Sequence, residues 1–183
     1  MTGYGQPVAV APLSRDQIEK FAVEVRRLLG HQDHQPVNML RLIEFVLPLA
    51  LEGFEYEIVE DRELGDAEAT TSSTARRIKI SSRCYADARA GAARPQFTLA
   101  HELGHLLLHC GKPFEMARGT VKSYADPEWQ ANYFAGAFLA PASEVKKCRS
   151  VGEIAARFAI SGAAAEVRAR TCKMSFAETN KGR

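Results

Sequence analysis

The 183-residue sequence has no apolar run long enough to cross a bilayer. Its longest, near residues 42–51, is interrupted by Glu44 and Pro48. The opening residues, Met1-Thr2-Gly3-Tyr4-Gly5-Gln6, lack the basic and apolar regions of a signal peptide. A cytoplasmic location with no membrane association is the resulting expectation. Charge of one sign is also scarce. The net charge of +2 is too small to imply a nucleic acid or membrane partner by itself. Four cysteines, Cys84, Cys110, Cys148 and Cys172, are scattered without a short pairing pattern, so reduced thiols are expected. What the chain does have is an ordinary 46% apolar content, enough for one domain or one domain plus a small appendage.

Against that plain background stands His101-Glu102-Leu103-Gly104-His105. On a helix, positions four apart share a face, so two imidazoles can address one metal ion. Zinc suits two imidazoles plus an oxygen ligand best. Glu102 lies beside the first imidazole, placed to exchange a proton with water. The pattern points to a metal-dependent hydrolase of the peptidase kind. Its context is helical. Arg94-Pro95 suits a helix start and Gly111 a stop. Leu99, Leu103, Leu106 and Cys110 make an apolar stripe, with Cys110 expected as a buried small hydrophobe. Gly104 costs the helix about 1 kcal/mol relative to Ala. A bare backbone there is useful where a substrate or a neighbouring strand comes close.

A catalytic zinc takes a third protein ligand and keeps one position open. His109 is eight residues from His101 on the same helix, about 12 Å along the axis, too far to close on the same ion. Its expected role is a partly cationic cap at the helix C-terminus. Glu128 is the better candidate. Asp126-Pro127-Glu128-Trp129 starts a helix, with Asp as N-cap and Pro in the first turn. Ala131, Phe134, Ala135 and Phe138 form its buried face, and it stops near Pro141. An acid in a first turn also compensates the helix dipole, so position alone leaves both roles open. Asn132, one turn on, can orient a metal ligand through its amide. The connection between the two helices, residues 111–125, includes Arg118 and Tyr124, the candidates for stabilising an oxyanion; no spacing singles out either.

The segment from Phe97 to His109, together with Asp126-Pro127-Glu128-Trp129-Gln130-Ala131-Asn132, Phe134-Ala135 and Pro141, resembles the ImmA/IrrE metallo-endopeptidases. Arg77-Ile78-Lys79-Ile80, Tyr85 and Gly91 also fit. Gln96 departs from the pattern, where an Arg is common, as does Ala140, where a larger apolar residue is usual. The resemblance implies one zinc per chain on His101, His105 and Glu128, with Glu102 as catalytic acid and base. It implies a minimal zincin-like α+β fold. It further implies site-specific cleavage of a regulatory protein, a helix-turn-helix repressor or antitoxin, and hence a part in transcription regulation. The competing expectation is a non-catalytic module that binds a repressor, an antitoxin or DNA; an intact Glu102 argues against it.

Elsewhere the pattern is mainly helical. Residues 1–13 read as a loose tail. Ser14 and Gln17 form a capping box, and Ile18, Phe21, Ala22, Val25, Leu28 and Leu29 follow at helical spacing up to Gly30. Pro36 opens a second helix through Leu47. Phe54, Tyr56 and Ile58 alternate as a half-buried strand, Ile78 and Ile80 mark another, and 70–74 reads as a turn or mobile loop. A strand beside the active-site helix is either a free edge for an extended peptide or an ordinary edge strand, and the sequence leaves both open. The expected division is a metallopeptidase domain, 1–141, and a small helical part, 142–183. That tail holds nine Lys/Arg against four Asp/Glu, a net of +5, and leaves −3 for the rest. Residues 153–168 resemble a helix-turn-helix with Ile160-Ser161 at the turn. Its Ala-rich second helix has few base-reading side chains, so helix packing or partner docking is expected rather than sequence-specific DNA binding.

Overall fold

The computed structural model describes residues 8–113, 115–116 and 120–176. Its elements run β1 (Val8–Ala9), α1 (Arg15–Leu28), α2 (Met39–Arg41), a π-helical turn (Leu42–Val46), α3 (Leu47–Ala50), β2 (Glu55–Val59), α4 (Asp61–Leu64), β3 (Ala69–Thr71), β4 (Arg77–Ser81), α5 (Ser82–Arg89), α6 (Ala93–His109), β5 (Glu115–Met116), a 3-10 turn (Ser123–Ala125), α7 (Pro127–Leu139), α8 (Ala142–Val145), α9 (Val151–Phe158) and α10 (Gly162–Thr171). The fold is α+β, a small sheet packed on helices.

Three strands lie in the order β2-β4-β3, with β2 parallel and β3 antiparallel to β4. In the central strand, Ile78 and Ile80 are fully buried. Arg77 and Lys79, on the opposite face, pair with Glu55 and Glu57 of β2. Ile58, expected to face the core, is 43% exposed instead. It sits on β2, which among the described residues has a neighbouring strand on one side alone. The expected loop at 70–74 is also corrected, because Ala69–Thr71 is β3. Thr70 and Thr71 are β-branched and fit a pleated surface.

Several helices show the start signals expected of them. Ser14 and Gln17 complete the capping box of α1. Ile18 and Ala22 are buried, but Leu28 lies off that face and is exposed. The second helix starts at Met39 rather than Pro36, because Asn38 caps it by accepting from the Arg41 N–H at 3.0 Å. It continues to Ala50 in three pieces. Pro48 cannot donate to the Glu44 carbonyl, and the helix widens into the π turn immediately before it. Gln96, the departure from the family pattern, is buried and accepts from the Met39 N–H at 2.8 Å, tying this helix to α6.

Helix α7 is the centre of the helical layer, with α6 on one side and α1 on another. Ala131, Phe134, Ala135 and Phe138 are fully buried, as their spacing predicts. Its C-terminal carbonyls are met by two buried arginines. Arg26 of α1 donates to Phe138 O at 2.6 Å, and also to Gln32 O and Gln35 O. Arg168 of α10 donates to Ala140 O at 2.7 Å and to both oxygens of Glu19 at 2.6 and 2.8 Å. Carbonyls left over at a helix end need such donors. Ile154, Phe158, Ile160, Ala165 and Ala169, from the helices after Pro141, belong to the same core cluster as Phe134 and Phe138. The chain before α1 is patterned as well. β1 pairs antiparallel with β5, and the Val10 and Leu13 N–H groups donate to Ala125 O and Tyr124 O.

Candidate metal centre

Helix α6 carries His101 and His105 one turn apart, and α7 brings Glu128 to them from its first turn. Gly104 allows this approach. A Cβ there would lie 3.1 Å from the Ala131 Cα and 3.2 Å from the Ala131 carbonyl oxygen. The bare backbone therefore admits the neighbouring helix, rather than a substrate or strand as expected. Asp126 caps α7, its carboxylate accepting from the Glu128 N–H at 2.9 Å. Gln130 is buried in the same turn and donates to Ala11 O at 2.9 Å and Tyr124 O at 2.8 Å. These bonds hold the start of α7 against the connection and the N-terminal segment.

The result is a compact cluster. The Nε2 atoms of His101 and His105 are 2.9 Å apart, and each lies 3.4 Å from a different oxygen of Glu128. One donor atom from each of the three residues falls within 4.8 Å of the others. Tetrahedral ligands held 2.0–2.1 Å from zinc are about 3.3 Å apart, so the donor set and its spacing fit that ion with little movement. Asn132, one turn along α7, places Oδ1 3.1 Å from His101 Nδ1. An amide oxygen only accepts, so Nδ1 donates to it and Nε2 is the ring nitrogen turned toward Glu128 and His105.

Electrostatics follow the same contacts. Hydrogen bonds from His101 and His105 hold the Glu128 carboxyl well below the usual carboxylate range. Burial pulls the His101 pKa down, but Glu128, with Glu102 and Asn132, outweighs burial and leaves it raised. Glu102 is 8% exposed, and burial raises its pKa against the opposing pull of Thr71 and the two imidazoles. The Thr71 hydroxyl lies 2.8 Å from Glu102 Oε2 and 2.9 Å from its carbonyl oxygen. With one proton, it donates to one of them at a time. Thr71 was not among the expected site residues. Its signal was its β-branched neighbour in a run that also reads as a turn.

Two further expectations change. His109 does not act as a cationic cap. It is 3% exposed, and burial, with His105 nearby, pushes its pKa down to about 4. Cys110 is half-buried at the helix end rather than enclosed. Tyr124 lies in the 3-10 turn, exposed, with Lys122 Nζ 5.8 Å from its ring centroid. None of its described contacts reaches the cluster. Arg118 lies outside the described residues.

Residues 69–170 match the model of a peptidase family, described as the IrrE N-terminal-like domain. The chain belongs to this family. The matched span of this IrrE-like domain contains Thr71, the His-Glu-Leu-Gly-His segment, Glu128 and Asn132. It is a peptidase family, and the His-His-Glu cluster is a possible metal site within the matched span. A Mycobacterium tuberculosis transcriptional regulator has a similar fold, with a TM-score of 0.53 and 16% identity over 90% of this chain and 49% of that one. The chain thus spans about half the length of that regulator. No curated protein matches the sequence significantly. Among the described residues, no helix is long and apolar enough to cross a membrane.

Proposed function

We propose that this chain is a zinc-dependent endopeptidase in which His101, His105 and Glu128 hold one zinc ion and Glu102 is the general base and acid. The observation that carries this reading is the convergence of both Nε2 atoms and both Glu128 oxygens at tetrahedral ligand spacing, with a buried carboxylate alongside. When bound, zinc supplies Lewis acidity, acidifying water and polarising a carbonyl. Asn132 accepts from His101 Nδ1 and keeps the ring turned so that Nε2 faces the other two ligands. The two imidazoles and Glu128 bind a metal only in their deprotonated forms, so acid should release it. Glu102 takes the proton from the attacking water and passes it to the leaving amine. Burial favours the protonated form of Glu102 needed for the second transfer, and the Thr71 hydroxyl steadies the charged form needed for the first. Edge strand β3 runs beside α6, and an extended peptide can pair with its outer edge.

The substrate class we propose is a regulatory protein, a helix-turn-helix repressor or antitoxin cut in the cytoplasm. This rests on the family resemblance of the two metal-helix motifs. Two variants test the reading. Glu128→Ala should lose most of the zinc found by elemental analysis of the parent. Glu102→Gln should keep the zinc and the fold yet lose about 10² to 10⁴ in cleavage rate on a co-expressed repressor encoded beside the gene. Full zinc retention by the first variant reassigns the third ligand, and parental cleavage by the second removes Glu102 from the chemistry.

A further inference from the structure

The seam between α6 and α7 continues past the metal cluster. Along α6, His105, His101 and Phe97 follow at four-residue steps; along α7, Glu128, Asn132 and Gly136 do the same. His105 meets Glu128 and His101 meets Asn132. Phe97, Asn132 and Gly136 line a pocket of about 410 Å³ whose far wall is α10. The pocket begins one helical turn, about 6 Å, from the cluster. Its volume falls in the range of small-ligand sites, which is ample for one large side chain.

The lining offers no loose charge. The Arg168 guanidinium is spent on Ala140 O and Glu19, and the Thr171 hydroxyl donates to Val167 O at 2.8 Å. The Asn132 oxygen faces His101. Apart from the Asn132 amide nitrogen and the Tyr133 hydroxyl, what remains is aromatic and aliphatic. Trp129 and Tyr133 lie with ring centroids 5.6 Å apart, and Val167 at the rim is 54% exposed. Consecutive Cα atoms are about 3.8 Å apart, so when the scissile carbonyl of a peptide lies at the cluster, the side chain of a bordering residue is within reach of the pocket.

We propose that this pocket, walled by Phe97, Trp129, Tyr133, Gly136, Ala164 and Val167, receives a large apolar or aromatic side chain from a residue bordering the scissile bond, so that α10 selects the substrate. The proposal rests on the peptidase reading above. It gives the C-terminal helices a role at the site without any contact to DNA.

Trp129 is the single tryptophan of the chain, so its emission reports the pocket directly. The test uses the full zinc-loaded chain and two probes with the same chelating head, phenylalanine hydroxamate and glycine hydroxamate. The phenyl compound should bind at least about tenfold more tightly, from burial of its ring, and should shift Trp129 emission. Val167→Asp, which sets a charge on the rim, and Gly136→Leu, which fills the floor, should each abolish that preference and leave the glycine probe unchanged. Equal affinities in the parent, or a preference that survives both substitutions, overturn the proposal. If glycine hydroxamate shows no zinc-dependent binding, the metal reading fails instead. N-acetylphenylalaninamide then decides the pocket: a saturable Trp129 shift absent from Val167→Asp supports it, and no shift overturns it.

Discussion

At the scale of single residues, the site depends on small groups that hold larger ones. Thr71 has one hydroxyl proton to share between the carboxylate and the carbonyl of Glu102. Thr71→Val keeps the shape and removes the donor. Zinc content should stay at the parental level while kcat falls about tenfold with KM little changed, and Thr71→Ser should restore most of the rate. His109 gives a different signature. The unfolded chain protonates this imidazole near its ordinary value of 6.5, the folded chain only near about 4. Its contribution to stability is therefore full above pH 6.5, is lost as pH falls from there to about 4, and changes no further below that. The total is on the order of 3 kcal/mol. In metal-stripped protein, denaturation of His109→Phe across that range should show a flatter pH slope than the parent; parallel slopes would mean His109 is not the group.

Among elements, α7 has the most demands placed on it. Its first turn presents Glu128, its middle passes over Gly104, and its last carbonyls are met by Arg26 and Arg168. The N-terminal segment fastens its start through β1–β5 pairing, through Val10 and Leu13, and through Gln130 on Ala11 O. Removing residues 1–13 should loosen that start and leave the Gln130 amide short of one partner. We expect zinc affinity, read by competition with a chromophoric chelator, to fall about tenfold while far-ultraviolet helicity stays near parental. Unchanged affinity would show that Asp126 and the α6 contact hold Glu128 unaided.

On the scale of the whole molecule, the basic tail is bound into the core through Arg168. The guanidinium is 3% exposed and joins α10 to α1 and α7. Breaking a buried pair from one side costs about 3–5 kcal/mol, because the partner charge stays behind. Arg168→Ala should therefore lower the melting temperature by about 10 °C or more. Deleting residues 142–183, which removes Ile154, Phe158, Ile160, Ala165 and Ala169 from the shared core, should abolish cooperative unfolding. Exposed Arg170→Ala should change neither stability nor DNA affinity at physiological salt. A salt-resistant, sequence-specific footprint that disappears with Arg170→Ala would make the tail a DNA reader.

Local chemistry was legible from the chain alone. The spacing of His101 and His105, the Asp126-Pro127 start of α7, the capping box at Ser14 and the turn before Ser161 all concern residues within a few positions of one another. Sterics and nearby hydrogen bonds determine such features wherever the chain goes. Outside the two metal-helix motifs, partners distant in sequence were not legible. Thr71 meets Glu102 across 31 residues and Arg168 meets Glu19 across 149, and no local pattern distinguishes these side chains from solvated ones. The same holds for His109, whose charge depends on burial, and for Gly104, whose missing Cβ matters only because Ala131 is opposite. Sequence determined which groups could form a metal centre. Tertiary packing decided which of them converge, because convergence depends on the helix and strand that fold back beside them.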